Sequence, residues 1–444
     1  MPERLTRRLL PAWVEPETAF RTLEARSADV FWLDAGTDAT TGWSFVGTGE
    51  RGSLPRDVRL DAPPAAPADP SAPPFTGGWV GWLDYESGAA AAGAPVADPV
   101  EPDTGSWLLA TRVVAFDHAR RRAWALSRQS EHEEWAAEVE AMAGAPLAAE
   151  EDAGHPGVPS SVATARHDPH EYAELIERCR ELIRAGIAYQ LCLTTRFTVI
   201  GAHDAVEVHR RLRTATPAHH GGFVRIGGRT LLSASPEQFL HAAGGVIRTR
   251  PIKGTRPRRA DPVEDAALAA ELAGDRKERA ENVMIVDLMR NDLSQVCVPG
   301  SIRVEGLWVV ESYPAVHQLV STVSGTAAAG TTVGALLEAA FPAGSMTGAP
   351  KLSAMTRLHG LEGGPRGVYA GCFGYIGDDG ALDLAMVIRS IVIERERAVV
   401  GAGGGITWGS VAASEVAEVA TKARAPIAAL GARMPELWGS DILN

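Results

Sequence analysis

Apolar and polar positions along the 444 residues fall into two regimes. Before residue 142 the apolar positions come in short runs. Val30-Phe31-Trp32-Leu33 and Trp43-Ser44-Phe45-Val46 flank a Gly/Asp/Thr cluster, which predicts two strands. Gly77-Gly78-Trp79-Val80-Gly81-Trp82 is an apolar run whose glycines admit close backbone approach. Residues 107–116 predict a further strand. From residue 168 the helical signals sharpen. Asp168-Pro169-His170-Glu171 carries a helix start, with Asp as N-cap, Pro in the first turn and Glu three residues after the cap. Tyr172, Leu175, Ile176, Cys179, Leu182 and Ile183 then recur at helical spacing, and Gly186 ends the segment. Residues 189–197 predict a strand, 275–295 a second long helix and 414–430 a last one. Residues 368–376 and 382–393 predict two strands around the turn Asp378-Asp379-Gly380. A second return leads into Ala398-Val399-Val400. Strands in hairpins and long separate helices argue for an α+β class rather than repeated βαβ units.

Residues 62–74 read APPAAPADPSAPP, too rich in proline for helix or ladder, and predict a surface loop. Residues 143–167, rich in Ala, Gly, Pro and Glu, predict a linker or long surface connection. They separate an N-terminal part, 1–142, from a region, 168–432, that holds the chemically suggestive segments.

Composition narrows the function classes. The formal net charge is −12 at pH 7, which disfavours general nucleic-acid binding. The longest uncharged stretch, 312–337, is full of Ser, Thr and Gly and holds a Pro and a His, so no membrane span is expected. Met1-Pro2-Glu3-Arg4 lacks the basic-then-apolar layout of a secretory leader. Cys179, Cys192, Cys297 and Cys372 are scattered without a C-x-x-C pair, which excludes a zinc ribbon or a dithiol redox motif and favours a reducing, cytoplasmic compartment.

Five segments could carry chemistry. Arg250-Pro251-Ile252-Lys253-Gly254-Thr255-Arg256-Pro257-Arg258-Arg259 is strongly basic inside an acidic chain. It is either a solvated loop or the setting of a lysine nucleophile with a lowered pKa. The apolar helix 279–293 embeds Glu281 and Asp287. Glu415 and Glu418 share one face of the last helix, where they complement the dipole or pair with Lys422. A carboxylate from each helix could instead hold Mg²⁺, an oxygen-seeking cation. Arg389 interrupts the apolar run 385–393, and a buried guanidinium needs a carboxylate, structural or from a ligand. Gly401-Ala402-Gly403-Gly404-Gly405 makes either a tight bend or an anion cradle of bare N–H groups.

In order along residues 168–430, the chain carries seven motifs: Ala188-Tyr189-Gln190, Ser235-Pro236-Glu237, the 251–258 loop, Asp287-Leu288-Met289-Arg290-Asn291-Asp292-Leu293, the 344–351 loop, Ile388-Arg389-Ser390 and Gly403-Gly404-Gly405. That series resembles the chorismate-using enzymes, anthranilate synthase component I and aminodeoxychorismate synthase component I. The N-terminal part is similar chiefly in Phe31-Trp32-Leu33-Asp34 and residues 77–86. The resemblance implies two antiparallel β-sheets packed as a sandwich with helices outside. Isochorismate and salicylate synthases carry a water-activating Lys where this chain has Gln190, so the resemblance is to the ammonia-using branch. Anthranilate synthases usually carry Ala at the place of Lys253. Lys253 therefore looks like the lysine of the aminodeoxychorismate branch, which attacks the ring.

Residue by residue, the resemblance implies Mg²⁺ on Glu281 and Glu418 with Glu415 nearby. It implies chorismate on Gly254, Thr255, Tyr375, Arg389 and Gly403 to Gly405, with His317 near the ring. It implies Glu237 as the acid for the departing 4-hydroxyl and a separate glutaminase subunit that feeds ammonia. The surrounding Arg250, Arg256 and Arg258 are expected to depress the Lys253 pKa if they lie close to it. Anthranilate synthase component I and a catalytically idle paralogue that binds chorismate or scaffolds a glutaminase are the alternatives. In the N-terminal part the chain departs from the family's usual Leu-Leu-Glu-Ser pattern at its tryptophan pocket.

Overall fold

The computed structural model describes residues 4–37, 39–61, 71–97, 106–143, 161–313 and 316–439. Most of the expected loop 62–74 and of the expected connection 143–167 lies outside the described residues.

Strand Trp107–Asp117 is the branch point of a large antiparallel network. One edge pairs with Trp43–Gly52; the other is shared between Gly78–Leu83 at its start and Arg122–Ser127 at its end. One arm then runs from Trp43–Gly52 through Val30–Asp34, His220–Ile226, Arg229–Ser235, Ser390–Glu394 and Arg397–Ile406 to Gln190–Ile200. The other arm runs from Gly78–Leu83 through Cys372–Gly377, Leu382–Met386 and Gln238–Ala243 to Val246–Thr249. Val246–Thr249 and Ile252–Pro257 together line one edge of Val316–Thr326, and Arg303–Ser312 lines the other. The mixture of helices with a large antiparallel sheet agrees with the expected α+β class.

Helices cover each arm. Pro169–Arg184 starts at the Asp168/Glu171 capping box and buries Tyr172, Ile176 and Cys179. With Ala412–Ala429 and Ala205–Ala215 it packs on the first arm in a cluster that includes Phe197, Val400, Val416 and Ile427. Arg276–Ser294, Val333–Ala340 and Lys351–Glu362 supply residues to a second cluster on the other arm. Phe31, Phe45, Trp82, Phe373 and Val392 come from both arms and form a third cluster. Each fully buried side chain of this size stabilises by roughly 1.5–3 kcal/mol. Among the described residues no helix is long and apolar enough to cross a membrane.

The run 382–393, expected to be one strand, is two. Leu382–Met386 pairs in the second arm and Ser390–Glu394 in the first, so the chain crosses between the arms at 387–389. Arg389 takes a φ of 52° at this crossing. The run expected at 368–376 becomes a strand only from Cys372.

Candidate active site

Lys253 is aimed by a bulge. Strand Ile252–Pro257 follows Val316–Thr326 until Lys253 opposes Leu319, then slips so that Thr255 opposes Gln318. Gly254 is the extra residue, with φ at 75°. A Cβ there would meet Leu272 Cδ1 at 2.7 Å and Glu278 at 3.0 Å, so both conformation and space demand glycine. Thr255 beyond it is exposed. Lys253 Nζ stands 3.5 Å from Glu281 Oε2, with both side chains mostly out of solvent. Glu281 comes from helix Arg276–Ser294, whose N-cap Asp275 accepts the N–H groups of Lys277 and Glu278.

The arginines around this strand are each engaged by carboxylates. Arg250 pairs with Glu311, Arg256 with Glu271 at 2.7 Å and Asp275 at 3.1 Å, and Arg258 with Asp265 at 2.9 Å. The carboxylates come from residues 261–278 and from strand Arg303–Ser312, which the basic segment itself does not reveal.

The glycine run is strand, not bend. Gly403, Gly404 and Gly405 oppose Thr194, Leu193 and Cys192 on Gln190–Ile200. Strand Ser390–Glu394 pairs with the other edge only as far as Val400, which leaves that edge open along the glycines among the described strands. A Cβ on Gly405 would meet Gln190 Nε2 at 2.6 Å and Lys253 Nζ at 3.3 Å; one on Gly404 would meet Glu415 Oε2 at 3.3 Å and Glu418 Oε1 at 4.0 Å. Bare backbone is thus the meeting place of Gln190, Lys253 and the two carboxylates of helix Ala412–Ala429. The Gln190 side chain is fully buried, and neither its amide nitrogen nor its oxygen has a hydrogen-bond partner among the described residues.

Two lysines link the carboxylates. Lys277 Nζ lies 3.7 Å from Glu281 and 4.0 Å from Glu415, bridging the two helices. Lys422 Nζ pairs with Glu418 at 2.6 Å and donates to the Gly403 carbonyl at 2.8 Å. Burial pushes Glu415 up. Burial also acts on Glu418, but the ammonium groups of Lys422, Lys253 and Lys277 together hold that carboxyl below its ordinary value. Among the described residues no three His, Cys, Asp or Glu side chains are gathered as a ready metal cage. The donors are nonetheless all carboxylate oxygens, and the Lys277 ammonium stands between Glu281 and Glu415 where a hard cation would. The residues fit Mg²⁺ by donor type, with Lys277 as the competitor for its place.

Glu237 is buried beside this group. Burial raises its pKa from 4.5 to about 7 against the opposing pull of Lys253, Ser345 and Lys422. Ser345 Oγ, from the short helix Gly344–Thr347, donates to Glu237 Oε1 at 3.3 Å. Arg389 is partly buried, and no carboxylate lies within ion-pair distance of it among the described residues. Burial lowers its pKa, opposed by Tyr369 and Glu418. Tyr369 also covers Gly401, where a Cβ would strike its ring.

Two further expected site residues have close partners of their own. Tyr375 is packed between Phe45 and Phe75, with ring centroids 5.7 and 4.9 Å away. Strand alternation turns it, with Phe373, into a cavity of about 740 Å³ also lined by Trp43 and His220. His317 has both ring nitrogens engaged, by Ser312 at 2.8 Å and Asp265 at 3.0 Å, which ties strand Val316–Thr326 to helix Pro262–Gly274. Lys277, Ser345 and Tyr369 were not singled out by sequence reasoning. Lys277 and Glu281 stand i, i+4 on one helix, but nothing in that spacing brings the second helix to them.

This site sits in a chain whose residues 15–428 match the family model described as chorismate binding enzyme. The chain belongs to that family. It is 44% identical over 367 residues to an aminodeoxychorismate synthase of Streptomyces pristinaespiralis, covering 80% of this chain and 51% of that protein. It is 39% identical over 381 residues to anthranilate synthase component 1 of Streptomyces coelicolor, covering 81% of this chain and 74% of the relative. Its fold is similar to the crystal structure of anthranilate synthase component I from Streptococcus pneumoniae TIGR4, with a TM-score of 0.72 at 27% identity over 96% of this chain and 92% of that one. The chain spans about half the length of the first of these relatives.

Proposed function

We propose that the chain converts chorismate and ammonia to 4-amino-4-deoxychorismate, as the synthase component of an aminodeoxychorismate synthase. One observation carries the reading: a lysine aimed by the Gly254 bulge meets the orphaned amide of Gln190 over bare glycine backbone, beside a carboxyl that burial keeps protonatable near neutrality. The Arg389 guanidinium and the open edge of the glycine strand neutralise the chorismate carboxylates. The Lys253 amine forms a C–N bond to the ring as the 4-hydroxyl departs, leaving as water with the proton of Glu237. Ammonia then bonds to the 4-position and the Lys253 C–N bond breaks, returning the amine. Gln190 has no basic nitrogen, so it cannot activate water in place of ammonia.

Mg²⁺ is part of the proposal, with Glu281 and Glu418 as ligands and Glu415 beside them; when bound it supplies positive charge to a substrate carboxylate. A separate glutaminase chain as the ammonia source is also proposed; the component numbering in the name of the Streptomyces coelicolor relative supports a divided enzyme. The cluster built from both arms supports their stacking as a two-sheet sandwich. The buried cysteines Cys179, Cys192 and Cys297, in no disulfide among the described residues, support a cytoplasmic setting.

The test is mass spectrometry of products from chorismate, ammonium and Mg²⁺, with intact-protein mass when ammonia is withheld. Aminodeoxychorismate and a Lys253 adduct are expected, and Lys253→Ala should abolish the adduct and slow product formation strongly. A fluorescent anthranilate product with wild-type chain would overturn the reading. So would near-normal kcat in Lys253→Ala together with no adduct.

A further inference from the structure

Lys253 and Glu281 belong to a strand and a helix, and their 3.5 Å approach depends on how that helix is seated. Most buried residues of the helix are apolar: Ile285, Val286, Met289 and Leu293. The buried polar ones are Asp292, paired with Lys351 near the far end, and Asn282, which stands next to Glu281 and is fully buried. Its Nδ2 donates to the Pro251 carbonyl at 3.3 Å, and its Oδ1 accepts from Ser321 Oγ at 2.5 Å. The backbone N–H of Ser321 donates to the same Pro251 carbonyl at 3.2 Å. Ser321 Oγ in turn accepts the N–H of Trp308 on the outer strand at 3.0 Å.

Pro251 makes this junction possible. It has no N–H, so it returns no ladder bond to Ser321, while its carbonyl accepts the Ser321 N–H across the ladder and the Asn282 Nδ2 from the helix. We infer that Asn282 and Ser321 form a buried peg that seats the Glu281 helix on the Lys253 strand and so sets the facing of those two groups. They are positioning residues for the reaction, and the inference rests on the function proposed above. An amide suits the place because it offers a donor and an acceptor at once. Lys253 lies two residues beyond the pegged carbonyl, so a shift of the helix there is transmitted to the amine within about 7 Å of chain.

The experiment uses the full chain with Asn282→Ala, Ser321→Ala and the double variant. For a misplaced reacting group kcat should fall ~10- to 100-fold while KM for chorismate stays within about threefold. The double variant should be no worse than the poorer single one, because both remove the same peg. Trace acetylation of lysines by acetic anhydride, read by mass spectrometry, is independent of turnover. The Lys253 rate relative to Lys422 should change severalfold in each variant, and the chorismate-free protein suffices for it. Should Asn282→Ala fail to fold, Ser321→Ala, which deletes one hydroxyl, decides. A kcat within about twofold of wild type, with unchanged Lys253 acetylation, overturns the peg; so does a loss of kcat matched by a proportional rise in KM. If the wild-type chain makes no aminodeoxychorismate, the proposed function fails, and the acetylation ratio still decides whether the peg sets Lys253.

Discussion

Glu237→Gln tests the electrostatics of the site through stability, independent of turnover. Burial, opposed by Lys253, Ser345 and Lys422, raises this carboxyl from 4.5 to about 7. The native chain therefore holds the proton more tightly than the unfolded chain does. The resulting stabilisation is complete below about pH 4.5 and is lost as pH rises through about 7. At about 1.4 kcal/mol per pH unit the loss is ~3 kcal/mol, the cost of an ionised carboxylate in a site built for a neutral one. Glutamine keeps the shape and does not titrate. Melting wild type and variant side by side from pH 4.5 to 9 should show wild type losing ground steadily up to about pH 7 and then running parallel to the variant. The variant should be the more stable protein on the alkaline side and inactive throughout. Two melting curves that stay parallel across the whole range, or a wild type that gains on the variant with rising pH, would refute the raised pKa and the acid role built on it.

Two further outcomes are expected. Arg389→Lys loses the two-pronged contact to a carboxylate, worth ~1.5–3 kcal/mol, so kcat/KM for chorismate should drop ~10- to 100-fold. Melting of the substrate-free protein should not suffer, since the guanidinium gives up no ion pair among the described residues; unchanged kinetics would remove Arg389 from the substrate site. Glu281→Gln and Glu418→Gln should each weaken Mg²⁺ binding measured by calorimetry and raise the Mg²⁺ needed for half-maximal activity. Wild-type Mg²⁺ titrations in both variants would remove the metal from these residues.

The parts of this molecule that sequence makes legible are those governed by local spacing. The capping box at Asp168, the turn at Gly380 and the i, i+4 pairing of Glu418 with Lys422 all stand as periodicity and turn chemistry predict. What spacing cannot convey is which elements face each other. The basic segment around Lys253 suggests a positive field, yet its arginines find carboxylates on neighbouring elements and leave the lysine facing Glu281. His317 and Tyr375 are expected near the substrate by resemblance, and spacing gives no sign of the protein partners their rings take, Asp265 for one and Phe45 and Phe75 for the other.

Arg389 shows why the rest was out of reach. Its oddness, a guanidinium in an apolar run, is visible in the sequence, but the run conceals a crossing between the arms. Both halves are buried strands of the same composition, and neither Gly nor Pro marks the break. The residue at the break carries a φ of 52°, a conformation that side chains with a Cβ seldom adopt. Such strain, of order 1–3 kcal/mol, persists only where surrounding structure enforces it. Here that structure is a pair of strands anchored in different arms, Leu382–Met386 and Ser390–Glu394. A charge inside an apolar run and a backbone in a costly conformation thus coincide at one residue, and the kinetics of Arg389→Lys decide whether the proposed carboxylate contact is what they serve.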